Sequence, residues 1–224
     1  MAKSMKLVPL SETSHLPRWQ RPQVLLFLMA FAMPVAFATW SALLNNFVIE
    51  AAGFDGADIG WLHSVREIPG FLAIGVIALL LVIREQKLAL VSLVMLGLAT
   101  ALTSQFPSLE GLLIVTLISS IGFHYYETVN QSLQLQWIDK KRAPQTIGWL
   151  MSMGSLATLL AYGLIVLTWR AYDLSYDLVY GVAGGFTALV AVIAFFAFPQ
   201  FEGPTPQNRK MILRRRYWLY YALE

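Results

Sequence analysis

"IGWLHSVREIPGFLAIG" runs from Ile59 to Gly75 and aligns without gaps on "IGWLMSMGSLATLLAYG", Ile147 to Gly163, at an offset of 88 residues. Of the 17 aligned positions, 8 are identical, and the shared Ile-Gly-Trp-Leu-x-Ser block is hard to obtain from Leu and Ala bias alone. The same offset matches Asn46 to Gln134 and Gly97 to Gly185. A unit covering about 22 to 106 therefore returns over about 109 to 198, and such self-similarity decides the architecture.

Composition says what the unit is made of. The 224 residues are 57% hydrophobic and only 13% charged, with a mean hydropathy of +0.60, whereas ordinary soluble domains carry about a quarter charged residues. About 20 mostly apolar residues are needed to cross the hydrocarbon core of a bilayer. Six segments qualify: Val24–Ile49, Ile59–Ile83, Leu88–Phe106, Leu109–Trp137, Ala143–Trp169 and Leu178–Phe198. Each repeat thus holds three spans. Because three is odd, the second copy enters the membrane from the opposite side. The expected fold is an all-α membrane protein whose six transmembrane helices form two inverted-topology three-helix repeats. Residues 1–21 form a tail, 22–198 the bundle, and 199–224 a basic linker. The closing "YWLYYALE", Tyr217 to Glu224, reads as the start of a seventh helix cut short. The first span is too long for a signal-peptide core and has no small-residue cleavage site behind it, so it should stay attached.

Charge orients the bundle, since basic residues flanking spans are retained in the cytoplasm. Of the 16 Lys and Arg, 14 fall in the N-terminal tail, in the connections at Arg84–Lys87 and Lys140–Arg142, and in the C-terminal tail, all on one side if the spans alternate. Glu50, Asp55, Asp58, Glu110, Asp173 and Asp177 occupy the other side, with Arg170 alone among them. Both termini are expected in the cytoplasm, with the chain in the bacterial inner membrane. The basic tails are read as topology signals, not as a nucleic-acid surface.

Polarity inside the spans is concentrated. Spans 1, 3, 5 and 6 contain no Asp, Glu, Lys, Arg or His, while spans 2 and 4 hold His63, Arg66, Glu67, His124 and Glu127. At 100° per residue Ser120, His124, Glu127, Gln131 and Gln134 form one stripe of the fourth helix. Lipid cannot solvate a carboxylate, so an intramembrane Glu faces protein or a watery cavity and marks a functional site by default. The bland alternative is a packing network in which Glu127 only hydrogen-bonds its neighbours. Span 1 carries Pro34, Ser41 and Asn45 on one face, with Trp40 and Asn46 nearby. Arg66 and Glu127 lie at different depths, which leaves Glu67, or a group outside these six helices, as the expected counter-charge of Arg66, either in a gate or beside an anionic substrate group.

Other chemistries find no support. No Gly-x-Ser-x-Gly and no cysteine is present, so neither an intramembrane hydrolase nor a thiolate metal site is expected. His124 and Glu127 at i, i+3 are two ligands without a second cluster, and no metal or other cofactor is expected.

Six helices as inverted triplets, with basic connections after helices 2 and 4 and a basic linker after helix 6, resemble the N-terminal half of a major facilitator superfamily transporter. The family signature between helices 2 and 3 is degenerate in "ALLLVIREQK", Ala78 to Lys87, where Arg84 and Lys87 keep the charge and the Asp and glycines are gone. Thr116 stands where proton-coupled members often carry an arginine, and span 5 lacks the Gly-Pro signature of drug-proton antiporters. The resemblance implies a non-enzymatic, secondary active symporter of a small solute, working by alternating access with a C-terminal half. It also implies that the first helix of each repeat lines the cavity. Trp40, Ser41, Asn45, His124, Glu127 and Gln131 are then the expected substrate contacts, Glu127 and His124 the proton-coupling pair, and Arg66 and Glu67 the gate. A complete six-helix protein acting as a dimer, or a non-transporting scaffold or sensor, remains the alternative.

Overall fold

The computed structural model describes residues 7–71 and 74–203. Lys3, Lys6, the basic run Arg209–Arg216 and the start of the expected seventh helix lie outside the described residues.

Among the described residues seven α-helices follow one another: α1 (Pro22–Glu50), α2 (Gly56–Phe71), α3 (Ile74–Leu80), α4 (Glu85–Leu102), α5 (Leu109–Trp137), α6 (Ala143–Thr168) and α7 (Tyr176–Ala197). Five of them, α1 and α4 to α7, are long and apolar enough to cross a membrane. The described parts of the second expected span are α2 and α3, which flank residues 72–73. With Asp58, Arg66 and Glu67 inside its 16 residues, α2 is the least apolar of the long helices. Local signals set the ends. Pro22 and Pro144 stand in the first turns of α1 and α6, where a missing N–H costs nothing. Ser108 caps α5 by accepting from the Gly111 amide, and Ser175 caps α7 by accepting from the Leu178 amide.

The packing is two-fold in pattern. α5 lies along α4 as α1 lies along α7, α2 packs on α5 as α6 packs on α1, and α4 and α7 pack on each other. Exchanging α1 with α5, α2 with α6 and α4 with α7 maps these principal pairs onto one another, as an inverted repeat requires, while the packing of α1 on α4 has no comparable counterpart between α5 and α7. Each repeat therefore lends its second helix to the other. α1 and α5 are both 29 residues long.

The centre of the pattern is the α4–α7 crossing. A Cβ built on Gly97 would fall 2.6 Å from the Ala188 amide and 2.7 Å from the Gly184 carbonyl. One built on Gly184 would fall 2.3 Å from the Ala101 amide and 2.3 Å from the Gly97 carbonyl. These contacts are mirror copies, and they pair Gly97 with Gly184. The sequence alignment pairs Gly97 with Gly185, so the structure shifts the register of the third helices by one residue. The reason is steric: lipid tails are as apolar as leucine, so helices associate through close backbone approach, which only Gly184 permits here. Gly185 has open space around it. Thr187, wholly buried, adds a 2.7 Å hydrogen bond from its hydroxyl to the Ala32 carbonyl of α1.

Two apolar clusters fill the bundle. One gathers Leu25, Leu26, Leu90, Leu93, Leu133 and Trp137 toward the end where α1 and α4 begin and α5 and α7 finish. The other gathers Trp40, Leu44, Phe47, Leu62, Leu112 and Tyr180 toward the opposite end. The first end is closed by chain outside the spans. Strand β1 (Leu7–Pro9) pairs in parallel with β2 (Gln200–Glu202), in register Val8 to Phe201. Gln86, almost fully buried, donates to the Pro199 carbonyl and accepts from the Phe201 amide, and Gln20 donates to the Ala197 carbonyl. The N-terminal tail, expected to be a plain cytoplasmic extension, is in this part a strap across the bundle.

Candidate functional site

A cavity of about 190 Å³ opens among the first, second, fourth and fifth helices, where the two apolar clusters meet. Phe37 and Trp40 of α1, Arg66 and Glu67 of α2, Leu96 of α4, and Thr116, Ser119, Ser120, Phe123 and His124 of α5 line it. Trp40 lies 10 residues before the end of α1, Arg66 10 after the start of α2 and Ser120 11 after the start of α5, so at 1.5 Å per residue all three sit about 15 Å from those helix ends. That is half of a ~30 Å hydrocarbon core.

Local structure explains how these side chains converge. Pro69 cannot donate to the Val65 carbonyl, which loosens α2 beside the cavity. The Ser120 hydroxyl of α5 donates to the next carbonyl, that of Arg66, and ties the two helices together at this point. Gly70 leaves room for the His124 ring, whose Cε1 would stand 3.2 Å from a Cβ there. Phe37 and Phe123 stack with centroids 4.5 Å apart and planes 17° apart, joining α1 to α5. The result is an aromatic wall facing a polar one.

The polar wall holds an ion pair. Arg66 Nη2 donates to Glu67 Oε1 at 2.5 Å, the pairing expected from sequence, and its Cζ lies 6.0 Å from the Trp40 ring centroid, within reach of a cation–π contact. Glu67 is half exposed and Arg66 one-third exposed. Arg66 Nε, Trp40 Nε1 and Thr116 Oγ1 are buried without a hydrogen-bond partner among the described residues. Two of these three groups can only donate, and the third is a hydroxyl that can do so.

Of the residues expected from sequence, Trp40, Arg66, Glu67 and His124 thus share one cavity. Glu127 is half-buried on α5, one turn beyond His124, and is not among the lining residues. Ser41, Asn45 and Gln131 are exposed and do not line the cavity either. Thr116, Ser119, Phe37 and Phe123 line it and were not anticipated. Ser119 reads as an ordinary member of an apolar run and Thr116 stood out only for the arginine it lacks, and the approach of α2 makes both of them cavity walls.

A second polar cluster lies at the strapped end. Ser132 and Gln136 of α5 both donate to the Glu85 carboxylate at the start of α4, the Ser132 bond measuring 3.1 Å. No group of His, Cys, Asp or Glu suited to a metal ion occurs among the described residues.

No curated protein sequence and no solved structure matches this chain. The sequence profile of the Major Facilitator Superfamily matches residues 25–222, from the first turn of α1 across the whole bundle. With nearly the entire length matched, and with a helix bundle whose neighbours are exchanged by a two-fold pattern, the chain belongs to the Major Facilitator Superfamily of membrane transporters.

Proposed function

We propose that this chain is one half of a secondary active transporter, carrying a small solute by alternating access in symport with protons, with a second six-helix body completing the pathway. The observation that carries the reading is the mid-depth cavity, because its walls come from both repeats: Trp40 and Arg66 from the first, His124 and Thr116 from the second. A polar site at mid-depth, lined by both inverted repeats and open to a second body that can rock against this bundle, is what alternating access needs.

Support for a second body comes from the repeated block. Gly60, Trp61 and Ser64 on α2 are exposed, and so are Gly148, Trp149 and Ser152 on α6, with Trp61 at 65% and Trp149 at 61%. Nothing stands near a Cβ at Gly60 or Gly148, and both serines turn back to the carbonyl four residues earlier. Packing inside the bundle gives no reason for the two copies to share these residues. Contact with another six-helix body, either further chain or a second copy, does. The basic end is assigned to the cytoplasm of a bacterial inner membrane.

Proton coupling is assigned to Glu127 with His124 one turn away, Glu127 being a half-buried carboxylate in the middle of a spanning helix. Ser41, Asn45 and Gln131 are assigned to the face that meets substrate from the second body's side, since polar side chains exposed at those depths need water or protein. Glu127→Gln keeps the shape and removes titration. In proteoliposomes holding the protein expressed from its own open reading frame, this variant should lose accumulation driven by a pH gradient and retain solute exchange. Accumulation equal to the parent across the pH range would leave Glu127 a packing residue.

A further inference from the structure

We infer that the cavity between α1, α2 and α5 binds an uncharged, flat, single-ring solute with one polar edge, a cyclic amide or imide of the pyrimidine-base type. The inference deepens the transport reading by naming its solute, and it rests on that reading only in treating the solute as cargo; binding itself stands on geometry.

Ser119 lines the cavity and is 7% exposed. Hydroxyls on these helices mostly find a carbonyl. Ser64, Thr128 and Ser152 turn back to the carbonyl four residues earlier, and Ser120 donates to the Arg66 carbonyl across the helix contact. The Ser119 hydroxyl has no such partner among the described residues, and it is not sealed in as the Thr116 hydroxyl one turn earlier is. Three further groups of the lining share this condition: the ring nitrogens of His124, Arg66 Nη1, and the Glu67 Oε2 that the ion pair leaves over. Each keeps accessible surface and meets no hydrogen-bond partner among the described residues.

Charge decides what these groups can take. Arg66 Nη2 and Glu67 Oε1 satisfy each other at 2.5 Å, so the lining carries no net charge while the imidazole is neutral. A charged solute would have to break that pair or lie beside it without a counter-ion, and both are expensive away from water. A neutral solute needs neither. The intact pair still offers one guanidinium donor and one carboxylate acceptor, which answer the C=O and the N–H of an amide edge. Ser119 and a neutral His124 can each donate and accept, so they serve a second C=O or N–H on the same ring.

The rest of the lining sets shape and size. Phe37 and Phe123, stacked with centroids 4.5 Å apart, and Leu96 are apolar, and the Trp40 indole nitrogen is sealed away. A sugar carries hydroxyls round its whole rim and would leave some of them unmet against these side chains, at about 1–3 kcal/mol each. A flat heterocycle keeps its polar atoms on an edge and gives its faces to aromatic rings. A cavity of ~150 Å³ holds benzene, so about 190 Å³ holds one six-membered ring with two exocyclic oxygens.

The test uses protein expressed from its own open reading frame and held in lipid nanodiscs. Uracil is the probe, 1,3-dimethyluracil the same ring without N–H donors, and benzoate and myo-inositol the charged and polyol controls. Binding is read by calorimetry and by the thermal unfolding midpoint, which a ligand of the folded state raises. Uracil should bind, and each of the three controls at least ~10-fold more weakly. Ser119→Ala should weaken uracil about 3- to 10-fold with an unchanged midpoint in the absence of probe. Glu67→Gln keeps the shape and removes the charged acceptor, and should weaken uracil by ~10-fold or more. Ser119→Ala decides the matter if Glu67→Gln does not fold. Failure of uracil to bind the folded parent, binding of any control as tight as that of uracil, or indifference to Ser119→Ala would overturn the inference. Uptake of some other solute without uracil binding would sink the assignment of the solute and spare the transport reading. Uracil binding without uptake would do the reverse.

Discussion

Arg66 is costly at mid-depth and is made tolerable by three neighbours of different kinds: the Glu67 carboxylate at 2.5 Å, the Trp40 face at 6.0 Å, and Ser120, which fixes the backbone carbonyl beneath it. Only Glu67 is adjacent in sequence, and it alone was expected. At the same scale, the glycines divide by what surrounds them. Gly184→Ala would push a methyl to within 2.3 Å of the Ala101 amide and the Gly97 carbonyl, both backbone atoms that cannot swing aside. We expect it to destabilise the bundle by about 1–3 kcal/mol, seen as a lower unfolding midpoint in detergent. Gly181→Ala, on the same helix with nothing within 4 Å, should be neutral or raise the midpoint by up to ~1 kcal/mol through helix propensity. Equal effects from the two would mean that α4 and α7 do not cross where the structure has them.

At the scale of elements, the helices were legible and the strap was not. The fourth span was expected over Leu109–Trp137 and α5 occupies those residues. The third, expected to reach Phe106, tightens into a 3₁₀ turn at Thr103–Gln105 after Leu102. Short strands of three residues give no periodic signal, so the pairing of Leu7–Pro9 with Gln200–Glu202 could not be read. Because the chain has no cysteine, the pairing can be checked by Val8→Cys with Phe201→Cys. Partner residues of adjacent strands fall within disulfide reach, so mild oxidation should protect both thiols from a mass-tagging maleimide. Val8→Cys with Glu202→Cys should do so less completely. Full tagging of the first pair after oxidation would remove the strap. The loops carry a further expectation: an impermeant maleimide applied to intact cells should label Asp55→Cys and leave Lys140→Cys untouched until the membrane is opened. Both positions are exposed, so lack of reaction would report sidedness and not burial.

At the scale of the whole molecule, the faces that the bundle leaves open are as informative as its core. α6 buries only Leu150, Ala157 and Ala161 along 26 residues. Exposed tryptophans at equivalent places on α2 and α6 are the anchors expected of an interface. Trp61→Ala with Trp149→Ala should leave the midpoint of the six-helix bundle within ~0.5 kcal/mol of the parent. The same pair should weaken association with the second body by ~10-fold or more, measured by sedimentation or by co-purification of separately expressed halves. A large loss of bundle stability with unchanged association would place these side chains in the core of the half instead.

The sequence by itself determined the class, the helices and the repeat. Hydropathy over 20 residues is a local sum, and an 88-residue self-match is visible without coordinates. It also marked Trp40, Arg66, Glu67 and His124, because charge and indole stand out in an apolar run. Which of the marked residues meet was decided only in three dimensions. The approach of α2 to α5, held by Ser120 and Gly70, makes Thr116 and Ser119 cavity walls while leaving Glu127 one turn outside the cavity and Ser41, Asn45 and Gln131 on open faces. The one-residue shift from Gly185 to Gly184 has the same origin. Close packing is a property of pairs of helices, fixed by which backbone atoms can touch, and no single helix carries that information in its own residues.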